Sequence, residues 1–432
     1  MLSISEDYKK VIKELHSSNS GNSEEVKQTL TTIQNEVKLH GDVAIQAFSK
    51  KFDNVNVEYD LKVSEEELRN AFYHVPDSFV VALKKAIKNI TLFHKPQLPH
   101  FLPKDLTNYL ATATTDIKQS IRYLPIDSAG LYVPGGRAPL PSTILMNAIP
   151  AKVAGVEKLI MTTPPQPNGK ISPQTLVAAK CCGISDIFKV GGAQAVFGMA
   201  YGTDTIPKVD KIVGPGNIYV TGAKKMVFGE VGIDKLAGPS EVQVFIDNIK
   251  YAKYAALEMI AQLEHDPLAI AMAVSTEKET LVAINDAITT YLPTCKRQDI
   301  LTQSIKNGKL ILAKSIEECM TITNEFAPEH LVLLSDTPEK YLNDIRHAGS
   351  IFMGPYTPVT LGDFYAGPNH VLPTSGTSRF ASPLGVMDFM KFSSVLQYSK
   401  EALKKAEKDL TILTEMEGLD AHFKCVSERL AD

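Results

Sequence analysis

The chain has 432 residues, of which 44% are hydrophobic and 22% charged. That length exceeds what one hydrophobic core usually supports, so at least two cores are expected and disorder is excluded. The 49 acidic and 45 basic side chains leave a formal net charge of -4 with no large block of either sign, which excludes a phosphate-tracking nucleic-acid surface.

No run approaches the roughly 18 apolar residues of a membrane span, and residues 1–10 lack the basic-then-apolar order of a secretory signal. The five cysteines, Cys181, Cys182, Cys295, Cys319 and Cys425, have no zinc-finger spacing and fit a reduced, cytoplasmic compartment. The adjacent pair Cys181-Cys182 is expected to fill space in a helix.

In chain order, the N-terminal third reads helical. Apolar residues recur near helical spacing over 23–39 and 79–93, and the second segment stops before a Pro-rich connection at 95–103. From Ile121 the texture changes. Runs at 121–124, 130–133, 158–161, 186–190 and 211–213 are β-prone, with helices expected at 141–154 and 172–182 between them. Strands separated by helices imply a parallel sheet with crossovers. A compact α/β domain is therefore expected over about 130–234, with Gly135-Gly136, Gly191-Gly192 and Gly214-Pro215-Gly216-Asn217 in its loops. The alternation resumes with strands at 241–246, 330–334 and 350–353 and a helix at 252–263, which suggests a second α/β domain. Past Phe389 the chain reads mostly helical, and its tail at 414–430 is expected to need something to pack on, a partner subunit being one candidate.

Five stretches can carry chemistry. The Gly-rich loops match neither G-x-G-x-x-G nor G-x-x-x-x-G-K-[ST], so they are either tight crossover turns or an anion cradle at helix N-termini. Gln262 and His265, three apart at a helix end, share a face and are either ligands or ordinary polar residues. Asp363 and His370, in a Gly- and Pro-punctuated loop, can face one cavity or simply cap a turn and stand exposed. Glu329-His330 before a strand offers two proton acceptors of different affinity, suited to a reaction that removes protons more than once. Glu417 and His422 lie in the tail; His422 with Gln262, His265 and Asp363 would make a set of two imidazoles, a carboxylate and an amide oxygen, suited to zinc.

These motifs resemble those of the histidinol dehydrogenase family over nearly the whole chain. The most specific are Gly130-Leu131-Tyr132-Val133-Pro134-Gly135-Gly136, Gly191-Gly192-Ala193-Gln194-Ala195, Gly214-Pro215-Gly216-Asn217, IDKLAGPSEV at 233–242, FAPEHL at 326–331, NHVLP at 369–373 and the segment 417–422. The resemblance implies two mixed α/β domains with incomplete Rossmann-like sheets, plus helical N- and C-terminal segments that pack in a homodimer. The expected division is 1–24 as an N-terminal helical segment, 25–129 with 235–384 as a discontinuous first domain, 130–234 as the inserted domain and 385–432 as a helical tail.

It implies oxidation of L-histidinol through L-histidinaldehyde to L-histidine, with two NAD reduced, in the last steps of histidine biosynthesis. One zinc ion per subunit is implied on Gln262, His265, Asp363 and His422, the last supplied by the neighbouring subunit of a homodimer with a shared active site. Glu329 is implied as the base that activates water and His330 as the general acid and base. Substrate contacts are implied for Ser240, Gln262, His265, His330, Asp363, His370, Glu417 and His422, and cofactor contacts for Tyr132, Gln194 and Asn217. The alternative is a related zinc-dependent dehydrogenase of another small amino alcohol or polyol. A binding protein without turnover would not need the Glu329-His330 pair.

Overall fold

A computed structural model describes residues 2–17, 24–53, 55, 57–99, 116–135, 140–236 and 238–431. Ser23, Gly136, Ala237 and the end of the Pro-rich connection at 100–103 lie outside the described residues. The chain forms two compact units, Met1–Gln97 with Asp127–Phe389, and Leu98–Ile126 with Met390–Asp432.

The described strands are β1 (Ile4–Ser5), β2 (Ile117–Pro125), β3 (Ser128–Tyr132), β4 (Lys158–Thr163), β5 (Asp186–Lys189), β6 (Lys211–Val213) and β7 (Gly232–Ile233). They continue with β8 (Glu241–Ile246), β9 (Ile270–Ser275), β10 (Gly308–Leu312), β11 (His330–Leu334), β12 (Ser350–Met353) and β13 (Met390–Tyr398). The first unit holds a five-stranded sheet, ordered β5-β4-β3-β6-β7, and a six-stranded sheet, ordered β1-β10-β9-β8-β11-β12. Every pairing in both is parallel.

The two sheets share a plan. In each, the earliest central strand (β3 or β8) is followed by two strands laid successively to one side, and the chain then returns to add two on the other. β1 is an extra edge on the larger sheet, pairing Ile4 with Leu310. Each sheet thus has a point where the direction of strand addition reverses, between β3 and β6 and between β8 and β11, and in open α/β sheets ligands favour such points at the carboxyl ends of the strands.

Local chemistry accounts for much of this. β8, β9 and β11 are buried at every residue, as strands covered on both faces must be. On β9, Ala271 and Ala273 enter one core while Ile270, Met272 and Val274 enter the opposite one, following the two-residue period of a strand. The helix Pro141–Ala154 starts with proline in its first turn and ends at Gly155 in the left-handed region, φ 93°. The helix Glu24–Phe52 is broken at Gly41 (φ 49°, ψ -124°), a conformation a side chain would resist. Its Leu30, Ile33 and Val37 pack in the core of the five-stranded sheet with Phe188, Val196 and Phe197.

The expected strands at 241–246, 330–334 and 350–353 form as read, and so does the helix at 141–154. One expectation is corrected. Residues 121–124 belong to no parallel sheet: β2 pairs antiparallel with β13 along nine residues, from Ile117 opposite Tyr398 to Pro125 opposite Met390. β13 stands at the head of the tail that was read as mostly helical, and the helices Lys400–Met416 and Asp420–Ala431 follow it.

Candidate active site

The larger sheet gathers its chemistry at the amino ends of its strands. Parallel pairing sets His330, the first residue of β11, opposite Val242 of β8, so Glu241 and Glu329 enter their strands side by side. The backbone N–H of Glu241 donates to Glu329 Oε2 at 2.7 Å, and His330 Nδ1 donates to the carbonyl oxygen of Glu241 at 2.9 Å. That second bond fixes the neutral ring in one tautomer and turns Nε2 toward Asp363. Nε2 stands 3.5 Å from Asp363 Oδ1, and neither atom has a hydrogen-bond partner. Glu329 Oε2 lies 3.5 Å from His330 Nδ1 on the other side.

Burial opposes charge on the His330 ring, but the carboxylates of Glu329 and Asp363 prevail and raise its pKa to about 9. Burial raises Glu329 to about 7, against the pull of His330. Asp363 is buried too, yet the neighbouring rings of His330, His370 and His265 bring it below its ordinary value. Such perturbed groups in one place are the expected signature of a reacting centre.

Asp363 sits in a short π-helical turn, Gly362–Ala366, a geometry frequent at functional positions. His370 Nδ1 donates to the carbonyl oxygen of Asp363 at 2.9 Å, and burial lowers its pKa. The next stretch is anchored by Asn369, whose Nδ2 donates to the carbonyl oxygen of Met146 at 2.6 Å. Gln262 is buried near the end of the helix Ala252–Leu263, with its Nε2 unbonded. His265 follows in the turn and is an exposed residue, and the protein around its ring lowers its pKa, partly offset by the negative charge of Asp363. Ser240 precedes β8, and its carbonyl accepts from Ile270 N at 3.0 Å.

Glu329, His330, Asp363, His265 and His370 therefore interact around one point. Glu417 and His422 are exposed residues of the second compact unit, at the end of the helix Lys400–Met416 and in the helix Asp420–Ala431. Among the described residues no three His, Cys, Asp or Glu side chains form a metal-binding group; the donor set here includes an amide.

Two acids were missed by sequence reasoning. Glu241 is fully buried, accepts from Ser375 N at 3.1 Å, and is raised to about 8 by burial and by the charge of Glu329. Glu258, raised to about 7 by burial, accepts from Val359 N at 3.3 Å and lies within the field of His330. An acid opening an apolar strand was the available signal for Glu241.

The smaller sheet uses its carboxyl ends. Tyr132 ends β3, is buried, and its phenolic oxygen accepts from the Gly192 N–H at 3.1 Å. Gln194 is buried in the first turn of the helix Gly192–Tyr201, with Nε2 unbonded. Asn217 caps the helix Ile218–Val227, its Oδ1 accepting from Tyr219 N at 3.0 Å and Val220 N at 3.1 Å. Gly214 is strained against substitution twice over: its φ is 117°, and a Cβ there would collide with the carbonyl oxygen of Tyr132. Gly135 and Gly191 both lie against Pro164, and Gly214 lies against Tyr132 beside the point where the order of strand addition reverses; helices start at Gly192 and Ile218 behind the second and third of these glycines.

A family model described as histidinol dehydrogenase matches residues 16–430. A histidinol dehydrogenase of Clostridium acetobutylicum is 45% identical over 406 residues, covering 94% of this chain and 92% of the relative. One of Methanocaldococcus jannaschii is 45% identical over 412 residues, covering 95% and 94%. The crystal structure of histidinol dehydrogenase from Elizabethkingia anophelis superposes with a TM-score of 0.89 at 34% identity, covering 95% of this chain and 93% of that one.

Proposed function

Because this chain belongs to the histidinol dehydrogenase family, we infer that Glu329 and His330 perform the proton transfers of L-histidinol oxidation. The chain is an NAD-dependent oxidoreductase of histidine biosynthesis, taking the alcohol through L-histidinaldehyde to L-histidine with two NAD reduced. One observation carries the assignment of roles. His330 is clamped through Nδ1 on the Glu241 carbonyl, flanked by two carboxylates, and left with Nε2 unbonded.

The family uses zinc as well as NAD. The residues present fit that ion: Asp363 Oδ1 is a buried carboxylate oxygen that accepts no hydrogen bond, Gln262 is a buried amide whose oxygen can ligate, and an imidazole, a carboxylate and an amide oxygen suit a borderline metal. Gln262, His265 and Asp363 would hold it, with His422 of the partner subunit completing the set. When bound, zinc fixes and polarises the substrate's imidazole and amine, and NAD accepts the hydride.

The chain's own groups supply the rest. His330 Nε2 takes the hydroxyl proton as hydride leaves the carbon. Glu329, with one oxygen fixed on the Glu241 N–H, orients and deprotonates the water that adds to the aldehyde, and His330 serves again as base in the second oxidation. Both groups act in their deprotonated forms, and burial at Glu329 and the neighbouring carboxylates at His330 raise their pKa values, so the rate should climb as pH rises. Ser240, His370 and Glu417 contact the substrate in this reading, and Tyr132, Gln194 and Asn217 the cofactor.

A homodimer with a shared site is supported by the exposure of Glu417 and His422 beside exposed Ile412, Leu413, Met416 and Leu419, which a partner would cover. No helix among the described residues is long and apolar enough to cross a membrane, and we place the enzyme in the cytoplasm.

The test is NADH formation from L-histidinol by purified protein, before and after chelation and zinc restoration. About two NADH per histidinol, lost on chelation and regained with zinc, is the expected result. A folded, zinc-loaded protein that forms none would overturn the substrate assignment in favour of another amino alcohol or a polyol.

A further inference from the structure

The most deeply buried ion pair outside the acid–base cluster joins Lys224 to Asp234, with side chains 3% and 1% exposed. Neither residue has a part in the chemistry above, and a buried pair is weak evidence of stabilisation for its own sake. What distinguishes it is the peptide it encloses. The Gly214 N–H donates to Asp234 Oδ2 at 2.8 Å, and Lys224 Nζ donates to the Gly214 carbonyl at 2.9 Å. Both polar groups of a single residue are therefore held by the two members of one ion pair.

Gly214 opens the turn that ends at Asn217, and Lys224 reaches back to it from the second turn of the helix that Asn217 caps. The turn is braced across its mouth. Its far wall is Tyr132, whose carbonyl leaves no room for a side chain at Gly214 and whose hydroxyl holds Gly192.

Asp234 also begins the segment that runs to the reacting centre. Its neighbour Lys235 donates to the carbonyls of Ser382 at 2.6 Å and Val371 at 3.1 Å. Gly238 N donates to Thr374 Oγ1 at 2.6 Å, and Glu241 then meets Ser375 and Glu329. Asp234 is thus held at the glycine turn, while Lys235, Gly238 and Glu241 are held by residues that follow His370.

We propose that Lys224 and Asp234 are positioning residues for the nicotinamide cofactor, clasping the Gly214 peptide so that the Gly214–Asn217 turn keeps the shape that receives NAD. The inference rests on the assignment of Tyr132, Gln194 and Asn217 to the cofactor. It separates these residues from ordinary structural ones, because the defect should fall on one ligand.

The test is direct titration of NADH by its own fluorescence, which no tryptophan of this chain overlaps since it has none. It is run with zinc content, NAD KM, L-histidinol KM and kcat. Asp234→Ala should weaken NADH by about tenfold or more and raise NAD KM with it, with zinc content and histidinol KM within about twofold. Asp234→Asn, which keeps an acceptor for Gly214 N, should be milder. If Asp234→Ala does not fold, the neutral double variant Lys224→Met/Asp234→Leu carries the same test, since it removes both holds on the Gly214 peptide and spares the core an unpaired charge. A folded variant that binds NADH within about twofold of the parent, while Gln194→Ala weakens it, overturns the clasp and leaves the cofactor site standing. If Gln194→Ala also leaves NADH unchanged, the cofactor assignment falls and the clasp falls with it.

Discussion

The two parallel sheets repeat one strand plan and use opposite ends of it. At the smaller sheet the residues proposed for the cofactor stand beside glycine turns and helix N-termini at the carboxyl ends of the strands, and the buried charges Lys224 and Asp234 are paired. At the larger sheet it gathers at the amino ends of β8 and β11, and there the buried atoms His330 Nε2, Asp363 Oδ1 and Glu241 Oε2 are left without hydrogen bonds. Paired buried charge builds a surface of fixed shape for a ligand held by its backbone contacts. A buried titratable group whose polar atoms lack hydrogen bonds is costly to keep, and its natural use is to meet a substrate, a metal or a transferring proton.

If that division is right, the largest effects on rate belong to the larger sheet. Glu329→Gln and His330→Asn should each lower turnover by about 10²- to 10⁴-fold, the usual worth of a positioned acid or base, with the fold retained by circular dichroism. Glu329→Gln should also stop nearer one NADH per histidinol than two, because the water step fails. Equal impairment of both oxidations would argue that Glu329 does not act on water.

The largest effect on stability should come from the other sheet. Lys224→Met strands a buried carboxylate and should cost about 3–5 kcal/mol in urea unfolding, while the neutral double variant recovers most of it. A loss below about 1 kcal/mol would mean that Asp234 finds another partner or water. Next in size, His265→Asn should weaken zinc, measured by competition with a chelator, by at least the roughly tenfold to hundredfold that even outer-shell changes produce. Unchanged zinc affinity would remove His265 from the ligand set.

A pH dependence completes the set. Glu241 is held neutral up to about 8, so its folded-state pKa lies above the ordinary carboxylate value. Its contribution to stability is present below that ordinary value and is lost as pH rises toward 8. Glu241→Gln removes the dependence, so the Tm advantage of the variant should grow across that interval and level off above it. A constant difference in Tm would show that Glu241 does not titrate there.

Several elements were legible because their signals are local. Pro141 and Gly155 bracket a helix by backbone preference alone, and the apolar runs of β8, β11 and β12 bind themselves to a covered sheet wherever that sheet lies. β9 was not, because Ile270-Ala271-Met272-Ala273 favours helix as readily as strand until two cores enclose it. β13 was not, because its pairing with β2 joins residues 265 or more apart in sequence, Pro125 to Met390 being the shortest span.

The candidate site divides in the same way. Motif resemblance singled out Glu329, His330, Asp363, Gln262 and His265 by residue type and spacing, and the structure brings the buried acids and imidazoles among them together. Glu241 offered the sequence no more than an acid opening an apolar strand, and its place in the site came from the parallel register that set β8 beside β11 and left its carboxyl against Glu329. Lys224 and Asp234 are two among 94 charged side chains (49 acidic and 45 basic). The sequence determined which residues could carry a charge or bend a turn, since those are properties of each residue and its neighbours. The tertiary structure alone decided which charges lost their water and which partners replaced it, since burial and register arise from contacts between distant segments.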